Sequence, residues 1–176
     1  MELWDIYDTN RSKTEKIISR GNTLAHGQYH IAVQVCIFNS KGEMLIQLRQ
    51  PFKDDWPNMW DITAAGSVLS GETSQQAAHR ELLEELGLDV DFSNIRPRFT
   101  INFEKGFCDI YSYEKEIDTD SLTLQKEEVK AVKWAPLGQI LDMIESGEFI
   151  TYYKSFVELI FDSRNSYGSH LNEKLK

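Results

Sequence analysis

Cysteine is scarce in this chain: Cys36 and Cys108 are the only two, and neither stands at a metal-ligand spacing. A cysteine metal centre is therefore excluded, and buried free thiols in apolar, strand-like surroundings are expected. Positive charge is also short, with 19 Lys and Arg against 28 Asp and Glu and a formal net charge of -9. Binding to a nucleic-acid duplex depends on clustered basic residues, so a duplex-binding protein is disfavoured, whereas a small phosphorylated ligand stays acceptable if a metal supplies local positive charge. Runs of about 18 apolar residues, the length a membrane helix needs, are absent, and MELWDIYDTN has no basic segment leading into an apolar one. A cytoplasmic location follows as the expectation. No internal repeat or low-complexity linker breaks the chain.

What is present suits one domain of ordinary size: 176 residues, 41% hydrophobic, with aromatics along the whole length. One domain is expected over 1–165, with a frayed polar tail over 166–176. Leu3 to Asp8 reads as a short half-buried strand, and 14–29, polar and without a clear period, reads as a loop or short strand. His30 to Phe38 and Glu43 to Arg49 read as a hairpin around Asn39-Ser40-Lys41-Gly42. The stretch 50–60 is loop-like, and Asp61 to Ala65 is a short strand. Asn94 to Phe103, Phe107 to Tyr113 and Glu127 to Trp134 read as further strands. Helices are expected at about 137–146, opened by Pro136, and about 151–163.

The most informative stretch is Gly66 to Leu88, GSVLSGETSQQAAHRELLEELGL. Thr73 is a good N-cap, Gln76 completes a capping-box pattern and Gly87 supplies a left-handed stop, which predicts a helix over 73–86. At about 100° per residue, Glu81, Glu84 and Glu85 share an arc of about 100°, with Leu82, Leu83 and Leu86 on the neighbouring side. Carboxylates so crowded repel one another, and a hard divalent cation would relieve them. For an isolated E-x-x-E-E a solvated acidic face is the more usual explanation. Arg80, placed to pair with Glu72, and a glycine-bearing loop entering the helix tilt the reading toward a metal-diphosphate site.

Two further groups belong with it. Arg49 and Lys53 follow where a strand runs out and are candidate phosphate partners, Lys53 as readily a surface residue. Trp56, Met59 and Trp60 are too apolar for an idle loop: Trp60 is assigned to the core and Trp56 to a substrate pocket.

The stretch 66–88 resembles the Nudix box, G-x5-E-x7-R-E-U-x-E-E-x-G-U with U aliphatic, at all seven fixed residues and both aliphatic positions, without a gap. The resemblance implies an α/β fold, a Nudix-type α/β/α sandwich with a mixed β-sheet. It further implies hydrolysis of a small molecule carrying a diphosphate linkage, with Mg²⁺ as cofactor and Mn²⁺ as the alternative. Carried over by position, Glu81, Glu84 and Glu85 would be metal ligands and Gly66 would offer its carbonyl. Glu81 or Glu84 would act as base, Arg80 would stand beside them bracing Glu72, and Glu72 and Gly87 would be structural. The pattern E-E-V-x-x-V-x-W-x-P-L at 127–137 resembles the segment after the box, where a glutamate can reach the metal. Glu128 is the stronger candidate and Glu127 the other, and two solvated carboxylates explain them as well. A homodimer stays open.

Outside the box, W-D-I-Y-D at 4–8, His30, and W-P-N-M-W-D at 56–61 resemble the branch that includes isopentenyl diphosphate isomerase. That enzyme needs a cysteine followed by Gly-His before the loop, where this chain has Ala65-Gly66-Ser67. The missing thiol and the intact box glutamates imply a hydrolase on an isomerase-like scaffold. The alternatives are the isomerase itself and a non-catalytic diphosphate-binding module.

Overall fold

Strand alternation places the central strand. In a computed structural model that describes residues 2–170, β3 (His30–Phe38) sends Ile31, Val33, Val35 and Ile37 into one apolar cluster and Cys36 and Phe38 into another. A strand buried on both faces needs cover on both. The first cluster is closed by α1 (Ser74–Leu86) through Ala77, Ala78, Leu82 and Leu86. The second is closed by α2 (Leu137–Ser146) and α3 (Lys154–Ser163) through Ile140, Met143, Val157, Ile160 and Phe161. The result is an α/β/α sandwich.

The sheet between them is mixed. Its path runs β5 (Trp60–Asp61), β4 (Met44–Arg49), β3, β8 (Gly106–Glu114), β7 (Phe99–Phe103), with β6 (Ala64–Ser67) also on β3 and β9 (Val129–Ala135) also on β4. Among these strands only the β3–β8 pairing is parallel. The expected 30–49 hairpin is corrected here, since β3 and β4 meet only at Phe38 and Met44. Beyond the Gly42 turn they diverge, because β3 takes β6 as a partner and β4 takes β9. That divergence opens the sheet where β6 delivers Gly66 beside α1.

Residues Leu3–Tyr7 form β1, as expected, and 14–29 is resolved: Lys13–Ser19 is β2, paired with β1 in a separate ribbon. The ribbon supports the loop ahead of α1. The Asp5 carboxylate accepts from the Gly71 amide and the Ser70 hydroxyl, both at 2.8 Å, and pairs with Lys13 at 2.5 Å. Burial opposes ionisation of Asp5, but these partners outweigh it and hold the carboxyl below its ordinary value.

The single short strand expected over 61–65 is instead split between β5, which ends at Asp61 and pairs with β4, and β6, which begins at Ala64 and pairs with β3. Other boundaries differ by a few residues. α3 begins at Lys154 rather than 151, β7 at Phe99 rather than 94, and β9 at Val129 rather than 127. Each shift leaves a polar or loop-bonded stretch outside the element. The chain after Ser163 is not simply frayed: Tyr167 donates to the Arg96 carbonyl at 3.0 Å and lies under the Arg96 and Arg98 guanidiniums. The rest of the expected tail, 171–176, lies outside the described residues. Among the described residues no helix is long and apolar enough to cross a membrane.

Candidate active site

The α1 N-terminus is built as its sequence directs. Thr73 accepts from the Gln76 amide, the Gln76 side chain accepts from the Thr73 amide, and Gly87 closes the far end at φ 68°. Inside this frame Arg80 acts as a hub. Its Nε and Nη2 donate to Glu72 Oε1 and Oε2 at 2.8 and 3.0 Å, while Nη2 also donates to the Ser67 carbonyl at 2.9 Å. Glu72 in turn accepts from the Leu69 amide at 2.9 Å, so loop, strand end and helix are tied at one guanidinium. Burial works against the Glu72 charge, yet Arg80 and that amide leave its carboxyl below the ordinary value.

Arg80 Nη1 reaches Glu81 Oε1 at 2.8 Å and Glu84 Oε2 at 3.2 Å. Glu81 lies against the backbone of β6: a β-carbon added at Gly66 would fall 1.9 Å from its Oε1. Burial pushes the Glu81 carboxyl up to about 7, Arg80 holding it back and Glu84 adding repulsion. Glu84 is half exposed. Glu85 is not on the exposed acidic face that the helix arc predicts; it is 6% exposed and buried beside Leu82. Its Oε2 accepts from Gln47 Nε2 at 2.8 Å. Burial, reinforced by Glu81, raises its carboxyl well above the ordinary range. Leu83 is the converse, expected to pack and found 44% exposed.

Arg80, Glu81, Glu84 and Glu85 line one cleft of about 440 Å³, which also takes in Arg49, Lys53, Ala65, Gly66, Gln125, Glu127 and Glu128. Lys53 meets Glu128 at 2.5 Å. Arg49 is held by the Asp55 carbonyl at 3.0 Å and sits 3.9 Å from Asp61. Asp61 is buried, and burial pushes its carboxyl up to about 6 against the pull of the Ile62 amide, Tyr152 and Arg49.

Trp56 is a correction: it is 45% exposed at φ 50° and does not line the cleft, where Phe52 stands instead. A positive φ turns the loop at Trp56 and carries its ring outward. Trp60 packs on the core as expected. His30 is buried in the wall of a neighbouring cavity, stacked on Trp4 at 4.2 Å. Cys36 is buried in the core and Cys108 only partly so, its thiol pushed up to about 12 by burial.

Gln47, Asp61, Gln125 and the Glu2–Arg20 pair at the cleft mouth have no local sequence signal. The Glu2–Arg20 pair depends on the β1–β2 register, and Gln47 on which face of β4 meets α1.

The carboxylates that line the cleft suit a hard divalent cation. Among the described residues no three such side chains already form a closed metal-holding group. Mg²⁺ keeps several waters and takes one or two carboxylates together with substrate phosphates, so an open set is compatible with it.

Comparison with known proteins agrees with this architecture. The NUDIX domain model matches residues 28–153. The protein described as uncharacterized Nudix hydrolase lin0387, from Listeria innocua, is 47% identical over 170 residues, covering 97% of this chain and 99% of its own. An isopentenyl-diphosphate Delta-isomerase from Corynebacterium diphtheriae is 27% identical over 131 residues, 68% of this chain and 70% of its own. The crystal structure of DR0079 from Deinococcus radiodurans superposes with a TM-score of 0.73 at 24% identity, covering 90% of this chain and 97% of that one, which shows a common fold. With a domain match over most of its length and so similar a full-length relative, the chain belongs to the Nudix hydrolase family.

Proposed function

We propose that this Nudix enzyme is a divalent-metal-dependent pyrophosphohydrolase that directs water onto a phosphorus of a small-molecule diphosphate. The observation that carries the reading is one cleft in which Glu81, Glu84, Glu85, Glu127 and Glu128 face the cations Arg49 and Lys53. Glu81, Glu84 and Glu85, with the Gly66 carbonyl and Glu128, would hold the ion, Mg²⁺ or alternatively Mn²⁺. When bound, such an ion neutralises phosphate charge and lowers the pKa of water.

The chain's own groups do the rest. Glu81, with a carboxyl raised to about 7, is matched to accepting a proton near neutral pH, and Glu84 is the next candidate. Arg49 and Lys53 bind phosphate oxygens, Lys53 on leaving Glu128. Arg80 and Glu72 keep Glu81 and the β6 loop in register, and Gly87 ends the helix that carries them. The isomerase reading lacks support at the same place: Ala65 lines the cleft, and neither cysteine is among its lining residues. We read 1–165 as one domain and place the protein in the cytoplasm, where free thiols such as Cys36 and Cys108 persist.

The test is a panel of nucleoside, sugar-nucleotide, isoprenoid and cofactor diphosphates with Mg²⁺, scored by released products. At least one should be cleaved, and excess chelator should stop the cleavage. Turnover of none, or conversion of isopentenyl to dimethylallyl diphosphate at a catalytic rate, would overturn the proposal.

A further inference from the structure

Beneath the cleft, the sheet carries a polar residue that this reaction leaves without a task. Gln47 stands mid-strand in β4, 2% exposed, with Asp61 of β5 on one side in the sheet and Val132 of β9 on the other. A buried amide in an apolar strand is costly unless it is bonded. Its Nε2 donates to Glu85 Oε2 at 2.8 Å, and among the described residues this is the only hydrogen bond to that carboxylate.

The residue type matters. An Arg or Lys in this place would pair with Glu85 and cancel the negative charge a cation requires. A Leu would leave a buried oxygen bare. An amide donates one neutral hydrogen bond to one oxygen, leaving the charge and the other oxygen free.

We infer that Gln47 is a positioning residue, whose amide fixes the Glu85 carboxylate so that Oε1 is presented to a divalent cation in the cleft. This rests on Glu85 being a metal ligand. Outer partners of this kind typically set metal affinity by 10–100-fold, because an unanchored ligand must be ordered when the ion binds.

The test uses the full chain with Gln47→Leu and Gln47→Met, the second retaining the unbranched shape of glutamine. Free Mn²⁺ is followed by electron paramagnetic resonance to obtain Kd, and the melt is recorded in EDTA. Both variants should bind Mn²⁺ about 10–100-fold more weakly while keeping a cooperative melt in EDTA. Affinity within twofold of wild type in either folded variant would overturn the inference, as would a loss seen only alongside loss of the cooperative melt. Failure of the wild type to take up Mn²⁺ would instead remove the metal reading, and the role of Gln47 with it.

Discussion

Replacing Glu81 by Gln should lower kcat by about 10²–10⁴-fold, the usual cost of removing a general base, while the fold becomes more stable without metal. The two effects have one origin. Glu81 is wedged between α1 and the Gly66 backbone, where burial pushes its carboxyl up to about 7 from an ordinary 4.5. The folded chain thus holds a proton that the unfolded chain has released. Stability from this group is fully present below about pH 4.5 and is lost as pH rises to about 7, a loss of up to about 3 kcal/mol. Melting temperatures of the metal-free wild type should therefore fall across that window. Glu81→Gln should reduce the fall without abolishing it, because Glu85 and Asp61, both also raised by burial, contribute slopes of the same sign. Full turnover in the variant would transfer the base to Glu84, Glu127 or Glu128.

Arg80→Ala should do the opposite to stability. One guanidinium joins Glu72, Glu81, Glu84 and the Ser67 carbonyl, so its loss leaves three carboxylates facing one another with no cation between them. Breaking a largely buried charge cluster by removing one partner costs on the order of 3 kcal/mol, or roughly 10 °C in Tm for a chain of this size. Activity should fall as well, because Glu81 loses its anchor. Arg80→Lys should restore little of either, since an ammonium cannot fork across Glu72 while also reaching Glu81. The loss should shrink below about pH 4.5, where the carboxylates are neutral in the variant. A Tm within about 2 °C of wild type at neutral pH would contradict the bracing role.

The contrast between Arg80 and Gln47 shows how much of this site the sequence makes legible. Arg80 and its partners lie within one short stretch of chain, so helix spacing and a capping box suffice to bring them together. Strand periodicity likewise identifies β3 and β8. Glu85 is misread because only the leucines are used to find the packed face. Setting Glu81 at zero and stepping about 100° per residue, Ala77, Ala78, Leu82 and Leu86 span about -40° to 140°, Glu85 lies near the middle and Leu83 falls outside. The two alanines, small enough to let α1 approach the sheet, carry the missing signal. Gln47 and Asp61 could not be found in this way. Their roles depend on β4 leaving β3 for β9, a pairing made across about 85 residues of chain that no local pattern encodes. Trp56 is misassigned for a related reason, because apolar character alone does not say which way a turn points a ring.

In the proposed reaction, water activated at the box carboxylates attacks phosphorus. The most direct measurement takes the best substrate of the diphosphate panel, the wild-type chain and Mg²⁺ in water enriched in ¹⁸O, and follows the products by ³¹P NMR. One ¹⁸O is expected on a phosphoryl product, seen as an isotope-shifted phosphorus line, with no such product in excess chelator. Products carrying ¹⁸O only on the organic fragment, or label in phosphate that forms equally well in chelator, would contradict that reaction.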